Sequence, residues 1–253
     1  MLIDTHCHLD FPEFNQDRDE VIRRAQGAGV NYLINIGSSL AATRASVALA
    51  KKYDFIYATA GIHPHEADSF NPRSPRAELE ALAKEEKVVA IGEIGLDYFK
   101  NYAHPENQKS LFISLLELAR DLDKPVVIHS RQAQEDTLKI LKGALPKKTV
   151  VHCFSADEHF LKECLALGLL VSFTCNITYR QADSLRGLVK AAPLQQLLLE
   201  TDAPFLPPEG LRGRRNEPMY VKTLAEEVAK IKGIGVEEIA RVTTQNAKSF
   251  FNL

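Results

Sequence analysis

The sequence predicts a (β/α)8 barrel, a TIM barrel in a single domain spanning residues 1–253. Three observations predict it. Eight short apolar, β-branched runs alternate with longer helical patterns along the chain. Several runs, such as VVAIGE, PVVIH and TVVHC, are apolar almost throughout, as parallel strands covered on both faces are. No Pro/Gly/Ser-rich linker divides the chain. The competing architecture is an open doubly wound sheet. It calls for a Gly-rich turn after the first strand, and THCHLD is nothing of that kind.

Taken in order, the expected strands are Leu2–His6, Asn31–Ile36, Phe55–Ala60, Val88–Glu93, Pro125–His129, Thr149–Cys153, Leu169–Phe173 and Leu197–Thr201. Helical windows lie between and after them, near 16–28, 40–52, 75–86, 105–122, 132–143, 157–167, 181–191 and 218–232. A last helix follows at 236–250. The fourth window is the clearest. Leu111, Leu115, Leu118 and Leu122 form one apolar stripe, and Pro105 suits a first-turn position.

Composition narrows the function. Hydrophobic residues make up 45% and charged residues 25%, which excludes disordered, collagen-like and low-complexity chains. With 31 Lys and Arg against 33 Asp and Glu, the net charge is −2, so no global basic field announces a nucleic-acid partner. A few local cations and metals still suffice to hold phosphates. The cysteines form no C-x-x-C pair, which argues against a zinc ribbon or a disulfide framework. The opening MLIDTHCHLD carries acids and histidines where a signal peptide needs an apolar run. The longest apolar stretch, Cys164 to Val171, falls far short of the ~18–20 residues of a membrane span. The expectation is a cytoplasmic protein with no membrane association and no obligate protein partner.

The polar residues fall at strand ends. Strand 1 ends in His6-x-His8, and strand 3 is followed by His63-Pro-His65. Strand 4 ends in Glu93, strand 5 in His129, strand 6 in His152 and strand 8 leads to Asp202. In a parallel barrel all strand C-termini share one face, so these residues are expected to converge there. Alternation puts His6 and His8 on one side and Cys7 on the other, and it separates His152 from Cys153. Both cysteines are expected to pack outward as small hydrophobes. Imidazoles with carboxylates and no thiolate suit divalent ions such as zinc or manganese. Four His and two carboxylates exceed the need of one tetrahedral ion, so two ions sharing a carboxylate is the natural count.

The set IDTHCHLD, AGIHPHEA, AIGEIGLDYF, VIHSRQAQEDTLKIL, VHCFSA, LLLETDAPFL and RRNEPMYV, in this order, resembles the TatD family of metal-dependent deoxyribonucleases. The match runs from about residue 2 to 250. Ala156 is a small departure from the commoner wording HCFSG. The resemblance implies that His6, His8, Glu93 and Asp202 hold one metal, and that Glu93, His129 and His152 hold the second. It implies Mg, Mn or Zn, and a 3′–5′ exonuclease acting on single-stranded or damaged DNA with a metal-activated water.

Chemical roles follow for individual residues. Asp202 is the candidate to orient the water and take its proton, beside the shared Glu93. Glu200, two residues earlier on the same face, is a candidate partner for a ligand histidine, and Asp4 below His6 is read the same way. His63 and His65 are candidates for the phosphate or leaving group. Arg131 is a candidate phosphate clamp, against a surface pairing with Glu135. Tyr98, beside Asp97, is a candidate to stack on a base. Arg212, Arg214 and Arg215 form the densest positive cluster and are candidates to guide a strand. Asn216 and Glu217 are expected as helix caps, and His104 and His159 as helix-start and surface residues. The other readings are a two-metal hydrolase of a small amide, lactone or phosphoester, a trinuclear phosphatase-type barrel, and an inactive binding module. The trinuclear barrel wants a late Asp-x-His where this chain has Asp202-Ala-Pro, and the inactive module is disfavoured because every ligand position is filled.

Overall fold

The computed structural model describes residues 1–69, 75–100, 102–144 and 146–253. Its strands are β1 (Leu2–Cys7), β2 (Val30–Asn35), β3 (Ile56–Ala60), β4 (Val88–Asp97), β5 (Val126–Arg131), β6 (Thr149–Val151), β7 (Leu170–Phe173) and β8 (Leu197–Leu199). Its helices are α1 (Arg18–Gly27), α2 (Leu40–Lys52), α3 (Pro75–Ala83), α4 (Pro105–Asp121), α5 (Gln134–Ala144), α6 (Glu158–Ala166), α7 (Asp183–Ala191), α8 (Val221–Lys232) and α9 (Val236–Phe251). The eight strands form one sheet in chain order. Strand–helix alternation in that order is the (β/α)8 barrel the sequence predicts. Within the sheet the chain forms two compact units, residues 1–35 with 153–253 and residues 36–152.

In the first unit β1 pairs with β2, and β7 with β8, all parallel. A parallel bridge joins Cys7 to Ala203 just beyond β8, so the last strand meets the first. Every residue of β1 is buried. The Asp157 side chain caps α6 by accepting from the Phe160 amide (2.8 Å). Helix α8 starts at Val221 rather than 218 because Pro218–Tyr220 forms a separate short turn. Asn216 and Glu217 therefore precede that turn and are not caps of α8.

In the second unit β3, β4, β5 and β6 are parallel neighbours in that order. Helix α4 buries Leu111, Leu115 and Leu118, as its stripe predicts, and His104 caps its N-terminus. Ser39 caps α2 through the Ala42 amide (3.1 Å).

Two boundaries differ from expectation in ways that matter for function. Strand β4 continues four residues past Glu93, to Asp97. Strands β6 and β8 stop short, at Val151 and Leu199, before residues that adopt positive φ: Cys153 (46°) and Asp202 (53°). Strand alternation thus does not reach Cys153. It is half-exposed, whereas Cys7 is fully buried.

Candidate metal centre

The first unit brings together one group of candidate ligand atoms. His6 and His8 turn their Nε2 atoms to each other at 3.2 Å, while Cys7 between them points its Sγ at the Ile34 carbonyl (3.5 Å). Asp202 Oδ1 lies 3.7 Å from His6 Nε2 and 3.4 Å from His8 Nε2. Backbone bonds fix this: the Asp202 amide donates to the His6 carbonyl (2.9 Å), and the His8 amide donates to the Ala203 carbonyl (2.8 Å). Two imidazole nitrogens and a carboxylate oxygen converge here without a thiolate, a donor set suited to a divalent cation.

Asp4 and Glu200 sit beneath. Asp4 accepts from the Thr201 amide (2.9 Å), the Thr201 hydroxyl (2.5 Å) and the His6 amide (3.3 Å). It therefore ties β1 to the segment before Asp202 through the Thr201 hydroxyl and backbone amides, rather than serving a candidate ligand ring as expected. Burial pushes its carboxyl up to about 8, against the hydrogen bonds from Thr201 and His6. Glu200 accepts from the Cys153 amide (2.6 Å) and the Ser172 hydroxyl (2.7 Å). Asn216 is fully buried, and its Nδ2 donates to the carbonyls of Thr201 (2.9 Å), Phe205 (2.6 Å) and Leu206 (3.2 Å). It shapes the loop that carries Asp202.

The arginine cluster splits. Arg215 donates to both carboxylate oxygens of Asp17 (2.7 and 2.7 Å) and to Glu217 (3.0 Å), and lies over the Phe14 ring. It is committed to packing rather than to a strand. Arg212 and Arg214 are exposed. Phe11 stacks on His8 (4.6 Å between rings), and Phe205 stands edge-on to Phe11 (6.0 Å). Phe205 is 48% exposed, a large apolar face beside the ligands that the sequence reading passed over.

The second unit supplies a denser group. Between Ile91 and Ile94 of β4 the pairing with β5 slips: three steps on β4 face two from Val126 to Ile128. Such a bulge re-aims a side chain, and here it carries Glu93. Glu93 Oε1 lies 2.7 Å from His152 Nε2, 3.0 Å from His129 Nδ1 and 3.6 Å from His63 Nε2. Burial alone would raise the Glu93 carboxyl. The charge of His152 and the hydrogen bonds from His129 and His152 outweigh it and hold the group well below the usual range. Burial brings His63 down to about 3 despite the Glu93 charge.

Asp97 is the residue that sequence reasoning missed. Its Oδ2 lies 2.9 Å from His129 Nε2, and its Oδ1 accepts from the amides of Phe99 (3.0 Å) and Lys100 (3.1 Å). His65 Nε2 is also 3.1 Å from Oδ2, though not aligned for a hydrogen bond. Burial opposes ionisation of Asp97, but the bonds from His129 and the Lys100 amide prevail and lower its pKa. An ionised carboxylate only accepts, so His129 carries its proton on Nε2. The remaining ring nitrogen, Nδ1, lies 3.0 Å from Glu93 Oε1, which only accepts, so either a proton on Nδ1 or a metal ion satisfies this pair. His63, Glu93 and His129 offer ligand atoms that all lie within 4.8 Å of one another.

The remaining candidates stand at the edge of this group. The Tyr98 hydroxyl donates to Asp136 (2.7 Å). Arg131 lies over the Phe99 ring (3.8 Å) and is exposed, in place of the pairing with Glu135 weighed from sequence. Tyr102 is 64% exposed and meets His65 edge-on (4.8 Å). Among the described residues no helix is long and apolar enough to cross a membrane.

Comparison with known proteins places the chain in a family. The family model "TatD related DNase" matches residues 3–252. A Bacillus subtilis protein, described as the metal-dependent hydrolase YabD, is 39% identical over the full length of both chains. The 3′-5′ ssDNA/RNA exonuclease TatD of Erwinia tasmaniensis is also 39% identical over the full length of both. Among solved structures, the TatD homologue YjjV of Escherichia coli superposes with a TM-score of 0.94 at 34% identity, covering 100% of this chain and 98% of that one.

Proposed function

This chain is a metal-dependent hydrolase of the TatD family, and we propose that it removes nucleotides from the 3′ ends of single-stranded or damaged DNA. The observation that carries the reading is the Glu93 group, where one carboxylate oxygen faces three imidazoles with no thiolate. The full-length likeness to a relative named as a 3′-5′ exonuclease supports the choice of bond. We take residues 1–253 as one barrel domain acting in the cytoplasm, where free cysteines such as all four here persist.

In this proposal two divalent ions, Mg, Mn or Zn, are held by six residues. His6, His8 and Asp202 would serve one ion, His129 and His152 the other, and Glu93 would contribute to both. When bound, the ions supply acidified water and neutralise charge on the phosphate. The protein does the rest. Asp202 retains 15% side-chain exposure, so it can orient a water and accept its proton. Asp97 holds His129 in one tautomer, and Glu200 steadies the turn that follows His152. His63 and His65 face the phosphate, while Arg131 and Tyr98 border the strand's path. Phe205 and Tyr102 offer exposed rings on which bases stack.

The test strips the protein of metal and restores Mg²⁺, Mn²⁺ or Zn²⁺ in turn, with a 3′-tailed DNA labelled at its 5′ end. A ladder shortening from the 3′ end, absent in a folded Glu93→Ala protein, is expected. A metal-loaded wild type that leaves DNA and RNA intact overturns the proposal. The second reading is then a small amide, lactone or phosphoester substrate, which the net charge of −2 favours.

A further inference from the structure

A cavity of about 450 Å³ opens in the unit of residues 1–35 and 153–253. It is walled by the segment after β7 and the loop after β8, on the strand side that carries Asp202. Its volume falls in the range of small-molecule sites. One wall is an aromatic–cation pair: the Arg212 guanidinium lies 4.7 Å from the centre of the Tyr179 ring. Arg180 is 89% exposed at its side chain, and its Nε lies 3.6 Å from Glu209. Arg212 is 62% exposed and 3.9 Å from the same carboxylate. Such long, solvated pairs are weak, so both guanidiniums can turn to another anion.

The wall is held in place. Arg186 donates to the carbonyls of Ile177 (2.9 Å) and Tyr179 (2.8 Å). The Glu209 amide donates to the Thr178 hydroxyl (2.9 Å), which itself donates to the Cys175 carbonyl (2.7 Å). Asn176 also lines the cavity, and its buried Oδ1 has no hydrogen-bond partner among the described residues. A buried acceptor left unmatched is costly, and a ligand that donates there removes the cost.

We propose that this cavity is a nucleotide subsite for a single strand whose 3′ end is being cleaved, which rests on the nuclease reading above. One base lies against the Tyr179–Arg212 pair, its phosphate meets Arg180 and Arg212, and an exocyclic amine donates to Asn176 Oδ1. The aromatic face accepts any base, while the amide favours bases that carry an amine, cytosine over thymine among the pyrimidines.

The test is fluorescence anisotropy of the Mg²⁺-loaded full chain with a short 5′-fluorescein single strand blocked by phosphorothioate linkages. Wild type is compared with Tyr179→Ala and Arg212→Glu, each checked by thermal melting. Neither side chain belongs to the fully buried core. Affinity is expected to fall about tenfold in each variant, with a shallower salt dependence in Arg212→Glu. Asn176→Leu is expected to erase a preference for dC over dT strands. Unchanged affinity in folded Tyr179→Ala and Arg212→Glu proteins overturns the subsite. Cleavage of the unblocked strand is followed in parallel. Cleavage by wild type with undiminished binding in the variants rejects the cavity alone. Binding lost in the variants without any cleavage by wild type rejects the nuclease reaction alone. A wild type that neither binds nor cleaves rejects both.

Discussion

Replacing Asp97 by alanine isolates what one carboxylate does for His129, a proposed metal ligand. In the native protein its Oδ2 holds His129 Nε2 at 2.9 Å, and its Oδ1 accepts two backbone amides at 3.0 and 3.1 Å. Without it, the His129 ring loses the bond that fixes its tautomer and can turn Nδ1 away from Glu93. Partners of this kind are worth about 10- to 100-fold in metal affinity, which corresponds to roughly 1.4–2.8 kcal/mol. The cost to folding is smaller. Phe99 and Lys100 are exposed, so water takes over their amides, and the loss is about 1 kcal/mol. Asp97→Asn keeps the shape and an acceptor but not the charge, and it should fall between wild type and alanine. Calorimetric titration of Mn²⁺ or Zn²⁺ into metal-free protein reads the first effect, and thermal melting reads the second. An Asp97→Ala protein that binds metal as tightly as wild type would refute the positioning role.

Three further outcomes are expected. Hydrogen bonds from Arg215, chiefly, bring the Asp17 carboxyl from 3.8 down to about 2 in the folded protein. Its contribution is present above the unfolded value and fades as pH falls from about 4 through about 2. Arg215→Ala should cost about 1 kcal/mol near neutral pH after solvent screening, and urea melts should show that this difference shrinks in acid. Asn216→Ala strands three carbonyls around the loop of Asp202 and should cost about 2–3 kcal/mol, with faster proteolysis between 201 and 216. Gly95→Ala would set a Cβ 2.0 Å from the His129 carbonyl at a φ of +140°, so a loss of about 3 kcal/mol or more is expected in a denaturant titration.

The fold was legible because its signals are periodic. Leu111, Leu115 and Leu118 sit on one face of α4 whatever surrounds them, and apolar strands read the same from either side. What escaped the sequence was conformation at single residues. Glu93 looks like a strand end because Gly92 and Gly95 flank it, yet the strand bulges there and runs on to Asp97. An even step of four from Glu93 was the available signal, since it keeps both acids on one face. Asp4 was correctly located under His6, but its partners are the Thr201 side chain and backbone groups, which composition does not reveal. Arg215 looked like its neighbours Arg212 and Arg214. Its bonds to the distant Asp17 and its place over Phe14 distinguish it, and sequence distance conceals them.

The seam between the first and last strands also sets a birth order. Asp4 and Thr201, which weld it, are 197 positions apart in the chain. His6 and His8 leave the ribosome early, but Asp202, whose carboxylate faces them, emerges only after the eighth strand. Until then that candidate group lacks its carboxylate, however well the first strands have folded. The bond that welds the seam therefore waits until nearly the whole eight-stranded sheet has been made.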